Sequence, residues 1–365
     1  MAKARFREIL TANPHNLTRT GEYSRSPSRP AVGRLAEIRV PTLVVVGESD
    51  IADVHAHCGA IQAGVPFAQR VVVAGAGHLV HLERPDEFNR IVTRFLASSG
   101  KPNDLVYYVP EMERATVRSN LVYKLANNAP LEADLYLPPG TVSGSRLPAI
   151  LFVLGDADPG TLRHAKDWTF MQSYGRLAAA RGFAGITFNH RSSENFARLP
   201  DVRADIDDLI HFVRTNAAAL SVNADKLCLW FFSGSGPHLE AGMGANVTWV
   251  RCIAAYYPLL SPLSGAGISD DRRRQYSAIE QLKRHAPRVP PLLLAKAGRD
   301  APSLNEQIER FRQQAVASQV SLEFLEHSTG EHAFDIRNDD DTSREILRRT
   351  MSFVERHLRG GPGGF

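Results

Sequence analysis

From Asn103 onward the chain alternates short, almost continuously apolar runs with longer segments of mixed polarity. NLVYKL and LEADLYLP, joined by the polar ANNAP, read as a hairpin; PAILFVL, AGITFNH, KLCLWFF, RCIAAYYP, PLLLAKAG and LEFLEH follow as strands. The segments WTFMQSYGRLAAARG, DVRADIDDLIHFVRTNAAAL, SLNEQIERFRQQAVAS and SREILRRTMSFVERHL carry helical spacing. In the second, Ile206, Leu209, Ile210 and Val213 fall on one stripe. Strands this apolar must be shielded on both faces, and helices between them supply the cover. The expected fold class is therefore α/β, a mostly parallel sheet with helices on both faces.

The first hundred residues break this pattern. Residues 1–34 are rich in Arg, Ser, Pro and Asn without periodicity, which predicts a poorly ordered extension. Residues 35–98 hold VPTLVVVGESD, a helix-like stretch, QRVVVAGAGH and the helix DEFNRIVTRFLAS, a small incomplete α/β region. Residues 99–103, within SSGKPND, read as a linker, and residues 104–365 as one complete domain. Two apolar strands leave open edges and bury too little surface to stand alone. Residues 35–98 are therefore expected to be covered, by docking on the following domain, by pairing with the same region of another chain, or both; a homo-oligomer whose symmetric contact includes them is the expectation, with residues 1–30 wrapping a neighbour or poorly ordered.

Composition narrows the partners. The net charge of +4 comes from 43 basic and 39 acidic residues mixed along the chain, with no basic stripe, so no nucleic-acid partner is expected. The start, MAKARFREILTANPHN, has no apolar core of a secretory signal, and no run is long enough to span a bilayer. Cys58, Cys228 and Cys252 cannot all pair, and two lie inside strand-like runs; buried thiols in the cytoplasm are the expectation. No Walker loop or dinucleotide fingerprint implies a cofactor. HAHC at His55–Cys58 suggests a metal, but residues two apart on a helix face away from each other, so none is expected. The acidic run NDDDTSRE reads as a solvated helix start.

The candidate chemistry lies in LWFFSGSGPHLE, Leu229–Glu240, where two serines follow a strand. Asp300 follows PLLLAKAG, and His332 follows the strand LEFLEH. In an open parallel sheet, loops at the carboxyl ends of strands converge, so a serine, an aspartate and a histidine placed there in that order can form a nucleophile, acid and base. A serine hydroxyl attacks poorly until a histidine takes its proton, and the aspartate orients that histidine. The first region echoes the last part: PTLVVVGESD resembles PPLLLAKAGRD, and AGAGH resembles STGEH, placing Asp50 and His78 where Asp300 and His332 stand. No serine turn precedes Asp50 and His78, so this pair is expected to be catalytically silent.

Residues 104–365 resemble an α/β-hydrolase of the dienelactone-hydrolase/esterase type, on DKLCLWFFSGSGP, AGRDAPSLN and GEHAFD, with AILFVLGD at the oxyanion strand. Residues 31–98 resemble the carboxyl-terminal part of a second α/β-hydrolase that lacks its nucleophile half. The resemblance implies Ser233 as nucleophile, counting from Asp225 through the strand, with Ser235 as the alternative. It implies Asp300 and His332 as the rest of the triad, and the backbone amides of Gly234 and Asp156 as the oxyanion hole. Phe231 stands where the family elbow has a small residue, and Leu154 where it has a histidine. The Asp156 carboxylate is expected to point away from the developing charge. Tyr256, Tyr257 and Trp168 are pocket candidates, with packing as the other reading. The function implied is hydrolysis of small or short-acyl carboxylic esters by a serine esterase without cofactor. A lactone hydrolase or peptidase on the same residues, and a non-catalytic binding or assembly protein, are the alternatives.

Overall fold

The structure, a computed structural model, describes residues 30–38, 42–65, 68–97, 104–262 and 268–360. The linker expected at 99–103 and residues 1–29 of the expected extension lie outside them; residues Ala31–Glu37 form a short 3-10 helix. The chain divides into two compact units, Met1–Asp104 and Leu105–Phe365.

In the first unit β1 (Leu43–Gly47) and β2 (Gln69–Val73) pair in parallel, Val45 opposite Val71. They are connected through α1 (Ala52–Gly64) and followed by α2 (Pro85–Ala97). Val73, Ala76 and Val80 form a small core against Val45, Val71, Phe88 and Ile91. Cys58 is buried on α1 while His57 is exposed, so the HAHC side chains diverge as the helical period requires.

Among the described residues the second unit contains eight strands: β3 (Thr116–Ala126), β4 (Ala129–Leu137), β5 (Leu147–Val153), β6 (Ala184–Phe188), β7 (Val222–Phe232), β8 (Val250–Tyr256), β9 (Leu292–Ala297) and β10 (Leu322–His327). Their order across the sheet is β10-β9-β8-β7-β5-β6-β4-β3. All neighbours from β6 to β10 run parallel, whereas β3–β4, joined by a short hairpin link, and β4–β6 are antiparallel. The expected α/β class is the observed one.

Alternation within β7 distributes the core. Leu227, Leu229 and Phe231 enter one buried cluster with Ile206, Leu209, Ile210 and Val213 of α4 (Leu199–Thr215), Ala278 and Leu282 of α5 (Ala278–His285), and Ile308 and Phe311 of α6 (Pro302–Ala317). Cys228, Trp230 and Phe232 enter the other, with Met171, Tyr174 and Leu177 of α3 (Thr169–Ala180) and Leu347, Met351 and Val354 of α7 (Asp341–Arg359). Each fully buried large side chain contributes about 1.5–3 kcal/mol. The acidic run caps α7: the Ser343 N–H donates to the Asp340 carboxylate at 2.8 Å.

Topology places the site. β5 lies between β6 and β7, so the chain leaves β5 toward one side of the sheet and later returns to the other. The loops after β5 and β7 therefore meet at the point where the winding reverses, the usual place for a ligand crevice in an open α/β sheet.

Candidate active site

Ser233 caps β7 with φ of 49°, a left-handed conformation that costs an L-residue energy and lifts the side chain off the strand end. The Leu259 N–H donates to the Ser233 carbonyl at 2.8 Å and pins the turn. The loops pack too closely for side chains: a Cβ at Gly236 would lie 2.1 Å from the Leu259 carbonyl oxygen, and one at Gly155 would lie 2.9 Å from the Gly234 nitrogen. From Ser233 the chain forms a 3-10 segment, Ser233–Gly242, with Pro237 inside it lacking a donor for a regular helical bond. Phe231, the bulky departure from a small elbow residue, is fully buried in the same cluster as Leu239, Ala241 and Ala255.

The three expected side chains meet. Ser233 Oγ lies 2.8 Å from His332 Nε2, and His332 Nδ1 lies 2.5 Å from Asp300 Oδ2. With the ring proton on Nδ1 donated to Asp300, Nε2 accepts from the Ser233 hydroxyl. The other Asp300 oxygen accepts from the Ala301 N–H at 2.8 Å, which fixes the carboxylate. Ser235 is engaged elsewhere: it is buried, accepts from the Phe232 N–H at 2.9 Å and sits 3.0 Å from the Val153 carbonyl. His238, close in sequence to Ser233, is buried against Tyr276, and burial pushes it down to about 3.

The backbone of the loop after β5 runs beside the elbow. A Cβ at Gly234 would lie 2.7 Å from the Asp156 nitrogen, so the two amides are neighbours. Among the described residues neither amide has an acceptor. Two adjacent unsatisfied donors beside a serine are what a developing oxyanion requires. The Asp156 carboxylate is turned to Ser193, whose N–H donates to Oδ1 at 2.8 Å and whose hydroxyl donates to Oδ2.

The structure places the aromatic pocket candidates differently from one another. Tyr256 is fully buried, rings against Trp230 and Phe334, and bonds Thr350 Oγ1 at 2.7 Å; it is core, because its position on β8 faces α7 rather than the strand ends. Trp168 is half-buried at the start of α3 and packs on Phe170, so it braces that helix. Tyr257, just beyond β8 at φ 37°, is the aromatic at the site: its ring centroid lies 4.6 Å from that of His332. Its hydroxyl donates to Asp335 at 2.7 Å, and Tyr174 donates to the other oxygen at 2.6 Å. Burial pushes the Asp335 carboxyl up, against the opposing pull of these two hydroxyls. The HAFD string held the signal for Asp335, but nothing in it announced the tyrosine clamp.

The first unit also pairs an aspartate with a histidine. His78 Nδ1 lies 3.1 Å from both Asp50 oxygens, and Asp50 accepts from the Ile51 N–H at 2.8 Å. The backbone repeats as well. Glu48 N–H donates to the Val73 carbonyl at 2.9 Å and Ser49 N–H to that of Ala76 at 2.8 Å. Gly298 N–H donates to His327 at 2.8 Å and Arg299 N–H to Gly330 at 2.9 Å.

Residues 133–251, from within β4 to the start of β8, match the family described as BD-FAE; this stretch includes Ser233 and Asp156 but ends before Asp300 and His332. An esterase from the planctomycete Thermogutta terrifontis superposes in its propionate-bound form with a TM-score of 0.53 at 20% identity, over 70% of this chain and 98% of that one. Its native form gives 0.54 at 20% over 71% and 98%. The form phosphorylated by paraoxon gives 0.51 at 19% over 69% and 96%. No curated protein shows a significant match. The second unit is thus an α/β-hydrolase in fold. Among the described residues no helix is long and apolar enough to cross a membrane.

Proposed function

We propose that the second unit is a serine esterase acting on small or short-acyl carboxylic esters. Ser233 attacks the acyl carbon as His332 takes its proton, and His332 returns that proton to the departing alcohol. Water, deprotonated by the same histidine, then releases the acid and regenerates Ser233. Asp300 holds the imidazole, and the Gly234 and Asp156 amides stabilise the oxyanion. The observation that carries this reading is the unbroken chain Ser233–His332–Asp300, at 2.8 and 2.5 Å, with Ser233 strained into the left-handed region. The likeness to an esterase recorded with bound propionate supports short acyl chains. The paraoxon-phosphorylated form of that enzyme suggests the experiment. A fluorophosphonate probe should label the full chain once, at Ser233 by peptide mapping. Folded protein that stays unlabelled would favour the non-catalytic alternative.

The reading extends to the first unit. The repeated backbone bonds support its origin as the acid–base end of a second hydrolase, and the absence, among the described residues, of a strand running into a serine elbow ahead of Asp50 supports a silent pair. His78→Ala is expected to leave ester turnover within about twofold of wild type; a loss of turnover in folded protein would make the pair part of a shared site. Since among the described residues β1 and β2 pair only with each other, we further propose that this sheet completes itself against a second copy. Sedimentation should report a dimer of the full chain, and a monomer would remove this role. Three buried free thiols support a reducing, cytoplasmic location.

A further inference from the structure

The Asp156 residue poses an electrostatic problem that the loop after β6 answers. Its amide is one of two adjacent donors beside Ser233, yet the same Cα carries a carboxylate. Rotated toward the hole, that charge would oppose the negative charge developing on the substrate oxygen. Ser193 meets the carboxylate with two donors, its N–H to Oδ1 and its hydroxyl to Oδ2. The Ser193 hydroxyl in turn accepts from the Phe196 N–H at 3.0 Å.

Three further contacts join the same two loops. Ser192 Oγ donates to the Ala157 carbonyl at 2.6 Å and lies 3.3 Å from Asp156 Oδ1, and His190 Nε2 lies 3.2 Å from the Leu154 carbonyl. The loop is itself strained: Glu194, Asn195 and Phe196 have φ of 47°, 56° and 71°, three successive non-glycine residues in the left-handed region. Such a run persists only where surrounding bonds over-determine it. Arg191 provides that anchorage by binding Asp205 through its backbone N–H at 3.0 Å and its guanidinium at 2.6 Å.

We propose that Ser193 is a positioning residue that holds the Asp156 carboxylate out of the oxyanion site, so that this position offers the substrate its amide without its charge. This rests on the esterase reading of Ser233. Ser193→Ala removes the hydroxyl donor and frees the carboxylate to turn. It is expected to lower kcat for a short p-nitrophenyl ester at least about tenfold with little change in KM, since an oxyanion contact acts in the transition state. Ser193→Thr keeps the donor and should restore kcat to within about threefold. Asp156→Asn removes the charge and keeps the side-chain shape, so the double variant Asp156→Asn with Ser193→Ala should recover most of the lost kcat. A merely structural contact predicts no such recovery, because the second substitution would add its own loss.

Ser193→Cys, a weaker donor of similar size, replaces Ser193→Ala if the latter does not fold, with folding followed by circular dichroism. Fluorophosphonate labelling separates the two layers of the argument. Unlabelled Ser233 in wild type overturns the esterase reading and this proposal with it. Labelled Ser233, with an unchanged kcat in Ser193→Ala or no recovery in the double variant, overturns this proposal alone.

Discussion

Ser233→Ala is expected to lower kcat for a short p-nitrophenyl ester by about 10⁵–10⁶-fold, and His332→Ala by a similar amount, because each removes the unit formed by nucleophile and base. Asp300→Asn should cost about 10⁴-fold: the amide preserves the shape but presents the wrong partner to His332 Nδ1, which now sits 2.5 Å from a carboxylate oxygen. The losses are not independent, so a double variant of Ser233 and His332 should be no slower than either single one. The control is Ser235→Ala. That hydroxyl is buried between the Phe232 N–H and the Val153 carbonyl, where it joins the ends of β7 and β5. Its loss should reduce stability by about 1 kcal/mol while ester turnover persists. Burst kinetics on purified variants decide the matter: full activity in Ser233→Ala and none in Ser235→Ala would move the nucleophile by two residues.

The expected order of Ser, Asp and His rested on strand ends, and strand ends were legible because the apolar runs are short and bounded. KLCLWFF alternates between two cores, so both faces of β7 had to be covered, which demanded helices on each side. The choice of Ser233 over Ser235 came from counting along that strand, and the geometry gives the two hydroxyls different partners. The internal echo was legible for the same reason, since PTLVVVGESD and PPLLLAKAGRD share strand, turn and aspartate. Sequence pattern could not separate Tyr256 from Tyr257. Adjacent residues at a strand end part by a change in backbone direction, here the φ of 37° at Tyr257, and composition does not encode that change. The loop at 190–193 was silent for a related reason. Turn signals rely on glycine, but the left-handed run Glu194–Phe196 contains none, and its shape is imposed by long-range bonds to Asp156 and Asp205.

Those long-range bonds make Asp205 the position of the largest expected effect on stability. It lies on α4 with its side chain wholly buried, and it accepts from the Arg191 guanidinium at 2.6 Å and the Arg191 N–H at 3.0 Å, with Lys124 Nζ at 2.7 Å. Lys124 has a second carboxylate, Asp208, at 2.7 Å, and Arg191 has Asp201, whose carboxylate lies at 3.2 Å and whose carbonyl accepts at 3.0 Å, but the Nε and Nη2 bonds of the Arg191 fork to a carboxylate go to Asp205. Asp205→Ala would leave the Arg191 guanidinium, 22% exposed, with Asp201 alone as its carboxylate partner, a cost toward the lower end of the range for a broken buried pair, about 3 kcal/mol. Since a domain of this kind has about 5–15 kcal/mol in hand, the variant should melt about 10 °C lower at pH 7. Burial opposes the charged form of Asp205, but the bonds from Arg191 and Lys124 outweigh it and hold the carboxyl below its ordinary value of 3.8. A group depressed in the folded state stabilises the protein above its unfolded value and loses that contribution as pH falls through the folded value. The difference in melting temperature between wild type and Asp205→Ala should therefore be full at pH 7, persist to about pH 4 and narrow below it. Because Arg191 leads directly into Ser192 and Ser193, the folded fraction of the variant should also turn over ester more slowly. An unchanged melting temperature at pH 7 would mean that solvent replaces the carboxylate at Arg191, and the loop after β6 would then need another anchor.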